Sequence, residues 1–277
     1  MSDGSSAHDQ ATSEEEVRQA FRQVVNEGVR RLERSWPSLL ATGTVGGIDV
    51  SIGVFGLMVV THLTGNKVLG ALAFTFGFIA LELGRSELFT ENYLVPIAAL
   101  VARREGIGAV LRLWGGTAVM NLAGGWAITA IVMAGFPQLN SEAVKLGVHF
   151  VDIGFGWRSF AMAMMAGAVI TVMTWMIEAT ASAGTKIVAA SFAGFLLTAG
   201  EMNHCIVASL EMFAALIAGA PFGYLDWFLV FLWAALGNTV GGIGLVTLLR
   251  FAQVGGQGLR EETEQQAARD DQRAAST

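Results

Sequence analysis

Residues 185–217, TKIVAASFAGFLLTAGEMNHCIVASLEMFAALI, decide the fold, because the polar sequence Gly200-Glu201-Met202-Asn203-His204 interrupts an apolar run at its middle. Neither flank alone supplies the roughly 20 apolar residues that a helix needs to cross a bilayer. Irregular backbone persists at membrane depth only where protein buries it or where it lines a cavity. The stretch therefore predicts a broken membrane helix with a cavity beside the break.

A second interruption lies in the first half of the chain. Residues 68 to 83 are apolar, run into Gly84-Arg85-Ser86-Glu87, and become apolar again near 93. Four further stretches are uninterrupted and long enough to span a bilayer: about 38–60, 113–135, 158–180 and 226–249. The sequence thus predicts six transmembrane helices, of which the second and the fifth are broken.

Composition supports a membrane protein. Hydrophobic residues make up 53% of the chain and charged residues 14%, with a mean hydropathy of +0.54, a balance that soluble domains of this size do not show. The polar first 34 residues lack the features of a signal peptide, so we expect the first span to be retained. The single cysteine, Cys205, excludes an internal disulfide, and no Cys or His cluster has the spacing of a zinc site.

A short internal repeat divides the chain into two halves. Asn121-Leu-Ala-Gly124-Gly125 lies in the third span and Asn238-Thr-Val-Gly241-Gly242 in the sixth, each after a broken segment. Because each half contains an odd number of spans, the halves insert with opposite orientation. We therefore predict an all-α membrane protein of two inverted three-helix repeats, with a permeation site between the broken helices.

Outside the pore domain, assigned to residues 36–250, we expect two cytoplasmic segments. Residues 1–35 comprise a polar tail and an amphipathic helix on the membrane surface, and residues 251–277 form a polar tail. Lys and Arg residues concentrate before the first span, between the second and third spans, and after the sixth. By the positive-inside rule, both termini should be cytoplasmic.

Ionisable residues within apolar segments are costly and mark functional candidates. These are Glu82, Arg85, Glu87, Glu91, Glu178, Glu201, His204 and Glu211. His204 is the leading candidate, because an imidazole beside a helix break can donate a proton or a hydrogen bond to an anion; the alternative is a histidine satisfied by a backbone carbonyl. Arg85 and Glu87 either form a structural ion pair or act on the permeant ion.

Two motifs resemble those of the formate/nitrite transporter family: Leu88-Phe89-Thr90 at the first break and Asn203-His204-Cys205-Ile206 at the second. The resemblance covers about residues 35 to 250. It implies an aquaporin-like fold, a homopentamer with one pore in each protomer, a gating role for Thr90 and a central role for His204 beside Asn203. It also implies apolar constrictions formed by Phe74, Phe78, Leu88, Phe89, Ile170 and Leu197.

Three functions stay open at this stage. The first is a bacterial inner-membrane channel or proton-coupled transporter for a small monovalent anion or weak acid, such as formate, nitrite or hydrosulfide. The second is an aquaporin-like pore for neutral solutes, although the four prolines form no Asn-Pro-Ala motif. The third is a membrane scaffold without transport. We expect no enzymatic activity, no cofactor, no metal and no nucleic-acid partner; the lipid bilayer is the expected surrounding.

Overall fold

The computed structural model describes residues 3–256 and Thr263, so most of the tail predicted for 251–277 lies outside the described residues. Within them the chain forms helices and no strand. The helices are α1 (Asp3–Leu32), α2 (Trp36–Thr64), α3 (Lys67–Gly84), α4 (Val95–Val101), α5 (Ile107–Gly135), α6 (Asn140–Asp152), α7 (Trp157–Glu178), α8 (Ala183–Ala199), α9 (Cys205–Ile217) and α10 (Tyr224–Thr239), with short 3₁₀ segments at Phe89–Tyr93 and Pro137–Leu139.

Five helices are long and apolar enough to cross a membrane: Trp36–Thr64, Lys67–Gly84, Ile107–Gly135, Trp157–Glu178 and Tyr224–Gly256. Three shorter apolar helical segments, Phe89–Val101, Ala183–Ala199 and Cys205–Ile217, flank the two interruptions. Large apolar side chains such as Phe76, Ile131 and Phe192 are exposed on the outer surface, as lipid contact requires. The prediction of an all-α membrane fold is confirmed.

A tight turn joins α2 to α3 and sets them side by side. Gly65 ends α2 in the left-handed conformation with φ of 65°, which glycine adopts without steric cost. Asn66 then caps α3, because its side-chain oxygen accepts hydrogen bonds from the backbone N–H groups of Val68 and Leu69. The two helices consequently run antiparallel, and α2 packs against both α3 and α5.

The chain leaves helical geometry at both interruptions. We call residues 85–94 the first break and residues 200–204 the second break. Arg85 and Glu201 each take the left-handed conformation directly after a helix, with φ of 52° and 47°. The first break is buried from Ser86 to Leu94, so its irregular backbone is enclosed by protein and not exposed to lipid.

The N-terminal helix differs from its sequence prediction. Phe21, Val24 and Val25 of α1 are buried, and they pack with α4 residues such as Ala98. The apolar face that was assigned to the membrane surface therefore contacts the protein, since α4 offers an apolar partner that the sequence pattern alone does not reveal. Two features were not predicted at all: helix α6, which packs on α9, and a π-helical segment at Val240–Thr247.

Candidate permeation site

Asn121 of α5 holds the first break in place. Its side-chain oxygen accepts a hydrogen bond from the backbone N–H of Phe89 at 2.8 Å. Its side-chain nitrogen donates to the backbone oxygen of Glu87 at 2.8 Å and to that of Gly43 in α2 at 2.7 Å. Because Asn121 is fully buried, these bonds satisfy backbone groups that no water reaches.

Asn238 of α10 holds the second break in the same way. Its side-chain oxygen accepts from the backbone N–H of Cys205 at 2.9 Å. Its side-chain nitrogen donates to the backbone oxygen of Asn203 at 3.0 Å and to that of Ala163 in α7 at 2.8 Å. The two asparagines of the sequence repeat thus each join a break to the first long helix of their own half of the chain.

The glycines of the repeat allow these helices to touch. A Cβ atom on Gly124 would lie 2.3 Å from the backbone oxygen of Thr44, and one on Gly241 would lie 1.8 Å from that of Met164. Gly125 is equally close to Leu210, and Gly242 lies against Thr171. All four glycines are buried. Gly124 and Gly241 face backbone atoms, which cannot move aside as the end of a side chain can, so a larger residue does not fit at those two positions.

His204 and Thr90 connect the two breaks. The imidazole Nε2 of His204 lies 2.7 Å from the hydroxyl oxygen of Thr90, and both residues are fully buried. Thr90 belongs to the 3₁₀ segment of the first break, and His204 is the residue before α9. The structure thus brings together the two polar residues that the sequence motifs singled out, one from each half of the chain.

The surroundings of His204 fix the position of its proton. The Nδ1 atom accepts a hydrogen bond from the backbone N–H of Val207 at 3.3 Å and so caps the N-terminus of α9. A neutral imidazole has one donor and one acceptor, so the proton resides on Nε2 and points at the oxygen of Thr90. The hydroxyl hydrogen of Thr90 is then available as a donor.

The six apolar side chains predicted as constrictions are buried together. Phe74, Phe78, Leu88, Phe89, Ile170 and Leu197 all belong to one buried apolar cluster, and none is more than 8% exposed. The rings of Phe74 and Phe78 lie 5.3 Å apart and pack against Gly194 of α8. Asn203 is buried too, and its side-chain oxygen has no hydrogen-bond partner in the described part of the chain.

A cavity of about 520 Å³, which we call the proximal cavity, lies on the side where α1 meets the start of α2. Arg31 of α1 is buried there, with ion-pair distances of 2.8 Å to Glu27, 3.3 Å to Glu87 and 3.2 Å to Glu91. Glu178 of α7 lies 3.9 Å from the same guanidinium group. One arginine therefore lies within ion-pair distance of carboxylates from α1, α7 and the first break.

The structural ion pair between Arg85 and Glu87, one of the two roles considered for these residues, does not form. Glu87 pairs instead with Arg34 at 2.7 Å and with Arg31. Arg85 lines the proximal cavity, is exposed and forms no ion pair with any described residue. The left-handed conformation of Arg85 turns its side chain away from the break, whereas Glu87 points inward toward the N-terminal arginines.

Two residues of α1, Arg31 and Glu27, have shifted pKa values at the proximal cavity. Burial alone would lower the pKa of Arg31, but Glu87 and Glu91 raise it well above its ordinary value, so the guanidinium stays charged. Burial likewise favours a higher pKa for Glu27, yet Arg31 and Arg30 outweigh it and lower the pKa of that carboxyl. Arg31 and Glu27 are therefore both charged.

A smaller cavity of about 150 Å³, which we call the distal cavity, lies on the opposite side, next to the turn between α2 and α3. Glu201 of the second break forms ion pairs there with Lys67 and, at 3.9 Å, with His149. Glu201 is thereby held at the rim, away from His204. Leu197, Val207 and Glu211 also line this cavity.

Sequence reasoning missed the roles of Arg31 and Arg34, which it counted only as indicators of membrane orientation. A signal did exist. Glu87 and Glu91 lie in apolar surroundings and require cations, since an unpaired buried charge is prohibitively costly. The described residues contain no group of three or more His, Cys, Asp or Glu side chains that holds a metal ion.

These features define a class of membrane protein in which each half of the chain contributes an interrupted helix and a buried polar pair joins the two interruptions. The sequence profile of the formate/nitrite transporter family matches residues 18–252. The chain belongs to the formate/nitrite transporter family. It is a multi-pass membrane protein of a transporter family, as the sequence motifs indicated.

Individual relatives agree with this assignment. Inner membrane protein YfdC of Escherichia coli (strain K12) is 28% identical over 244 residues, covering 82% of this chain and 76% of the relative. Among solved structures, a pentameric formate channel with formate bound is 22% identical with a TM-score of 0.66, covering 78% of this chain and 96% of that one. An FNT family ion channel has a TM-score of 0.74 at 16% identity, covering 84% and 98%.

Proposed function

We propose that the protein is a transmembrane channel for a small monovalent anion or its weak acid, of the formate type. The observation that carries the proposal is the Thr90–His204 pair, which is buried where the two breaks meet, with the proximal cavity near one break and the distal cavity near the other. Membership of the formate/nitrite transporter family, and similarity to a solved formate channel with formate bound, support the substrate class.

The chemistry of the pair suits an anion. An ion stripped of water in an apolar passage loses a large hydration energy and needs a donor in compensation. The hydroxyl of Thr90, whose oxygen accepts from His204, has its hydrogen free to donate to a carboxylate or nitrite oxygen. One hydrogen bond to a charged group contributes about 1.5–3 kcal/mol. Phe74, Phe78, Leu88, Phe89, Ile170 and Leu197 exclude water around that donor in this proposal.

Flux into proteoliposomes tests the function. We expect formate, nitrite or hydrosulfide to enter faster than into protein-free vesicles, and glycerol and water not to. His204→Phe keeps a ring but removes both nitrogens, so it should fold and abolish anion flux. His62→Phe, the same change at an exposed histidine at the end of α2, should leave flux intact. If only neutral solutes entered the vesicles, the protein would be an aquaporin-like pore. If no solute entered, it would be a membrane scaffold without transport.

Assembly and orientation form part of the same proposal. Five protomers around a central axis, each with its own pore, fit the exposed apolar flanks of the helices and the similarity to a pentameric formate channel. Native mass spectrometry in detergent should give five chains. The Lys/Arg bias places α1 and the proximal cavity on the cytoplasmic side of the inner membrane. A reporter that functions only in the cytoplasm should therefore be active when it is fused after residue 277.

A further inference from the structure

A proton needed during transport has no evident source in the Thr90–His204 pair. The neutral imidazole has a single proton on Nε2, and giving it to the permeant would leave an imidazolate, which is far too basic to form near neutral pH. A second proton on Nδ1 would displace the hydrogen bond from the N–H of Val207 and place a charge in a fully buried site. The pair is thus a hydrogen-bond donor and not a proton donor.

Glu211 of α9 is a carboxyl without a partner on the distal side of that pair. It is 5% exposed and lines the distal cavity. In the described residues it forms neither a hydrogen bond nor an ion pair. A buried carboxyl that is left unpaired at a cavity wall is uncommon in membrane proteins and marks a functional group.

The other charged groups of the distal cavity do not neutralise Glu211. Lys67 from the start of α3 pairs with Glu201 of the second break, and Lys145 pairs with Glu142 at 2.7 Å within α6. His149 of α6 faces Glu201 at 3.9 Å. Both lysines are therefore engaged by other carboxylates, and Glu211 alone has no cation.

The register of α9 directs Glu211 along the route to the central pair. His204, Val207 and Glu211 follow one another at intervals of three and four residues, which places them on one face of the helix. Val207 and Glu211 both line the distal cavity, and Val207 is hydrogen-bonded to His204. A permeant in the cavity reaches Glu211 about 10 Å along the helix axis before it reaches His204.

We infer that Glu211 is the proton-donating residue of the distal cavity for a weak-acid permeant, an inference that rests on the proposed function. The protonated carboxyl donates a hydrogen bond to a formate oxygen and then transfers its proton, giving formic acid and the Glu211 carboxylate. The neutral acid passes the apolar constrictions without the cost of a bare charge. A hydronium ion from the solvent on the distal side then protonates the carboxylate again, so one proton is taken up with each formate.

Formate-driven acidification of vesicles, followed with an internal pH indicator, tests this inference. Glu211→Gln keeps a hydrogen-bond donor of the same shape but has no proton to transfer, so we expect formate-coupled proton uptake to fall about tenfold or more. Glu211→Asp should retain most of it. Glu142→Gln is the matched control, because its carboxyl lines the same cavity but is paired with Lys145, and its uptake should match that of the wild type. Wild-type uptake in Glu211→Gln would overturn the inference.

A second measurement separates this inference from the proposed function. If wild-type vesicles take up no more formate than protein-free vesicles, the proposed function fails. Infrared difference spectra of the purified wild-type protein then decide on Glu211 independently of flux. A protonated carboxyl band that disappears in Glu211→Gln and shifts when formate is added supports the inference. A spectrum unaffected by formate and by the substitution overturns it.

Discussion

Asn121 and Asn238 lie in different halves of the chain and make the same set of three hydrogen bonds. Each accepts one bond from a backbone N–H at a break and donates to two backbone oxygens, one in that break and one in a long helix. Each break is therefore joined to a long helix by one buried amide side chain. The sequence repeat is therefore explained by the same structural requirement in both halves: backbone groups at each break need a hydrogen-bond partner.

Replacing Asn238 should destabilise the protein strongly. Asn238→Ala leaves the N–H of Cys205 and the oxygens of Asn203 and Ala163 without their partner, and each buried orphan costs about 1–3 kcal/mol. We expect a loss of several kcal/mol, measured as a lower midpoint of thermal unfolding in detergent. Ser191→Ala, which removes only a bond within α8, should change the midpoint little. Equal effects of the two variants would contradict the role of Asn238.

Alanine substitutions at Gly241 and Gly244 test the close contact between α7 and the π-helical segment. A Cβ at Gly241 would lie 1.8 Å from the backbone oxygen of Met164, whereas one at Gly244 in the same π-helical segment would lie 4.0 Å from the nearest atom. Backbone cannot yield by such a distance, so Gly241→Ala should separate α7 from α10 and prevent folding. Gly244→Ala should fold normally. Size-exclusion chromatography of both variants checks this, and a folded Gly241→Ala protein would disprove the close contact.

Some of this structure follows from the sequence and some does not. The two interruptions are predictable, because polar residues within an apolar run disfavour a continuous membrane helix. The contact between Thr90 and His204 was not predicted: the two motifs singled out both residues, but no pattern in the sequence specifies that they touch. The Arg31–Glu91 pair spans 60 residues, and a polar N-terminal helix carries no pattern that specifies which buried carboxylate it meets. The π-helical segment cannot be predicted either, because the sequence of an apolar run does not distinguish α-helical from π-helical hydrogen bonds.

Arg31 should be essential for the first break to remain docked. Removing the cation leaves Glu91 without its counter-ion and Glu87 with Arg34 alone, and leaving a buried charge without its partner costs about 3–5 kcal/mol. Arg31→Gln should therefore lower the unfolding midpoint far more than Arg30→Gln, whose side chain is 53% exposed. Because the Arg31 pairs are buried, salt should hardly change this difference. A large salt dependence, or equal effects of the two substitutions, would argue against a buried network.

The hydroxyl of Thr90 should control transport without controlling folding. Thr90→Val keeps the shape of the side chain but removes both the acceptor for His204 and the donor that faces the permeant. Losing one hydrogen bond to a charged permeant, at about 1.5–3 kcal/mol, corresponds to a roughly tenfold to hundredfold lower flux. Thr90→Ser retains the hydroxyl and should keep most of the wild-type rate. Thr117→Val makes the same change at another buried threonine, which donates only to Leu113 in its own helix, and should transport normally. Formate flux into proteoliposomes at one fixed pH compares all three variants. If Thr90→Val transported as fast as Thr117→Val, the hydroxyl would play no part in conduction, and His204 would have to act on the permeant directly.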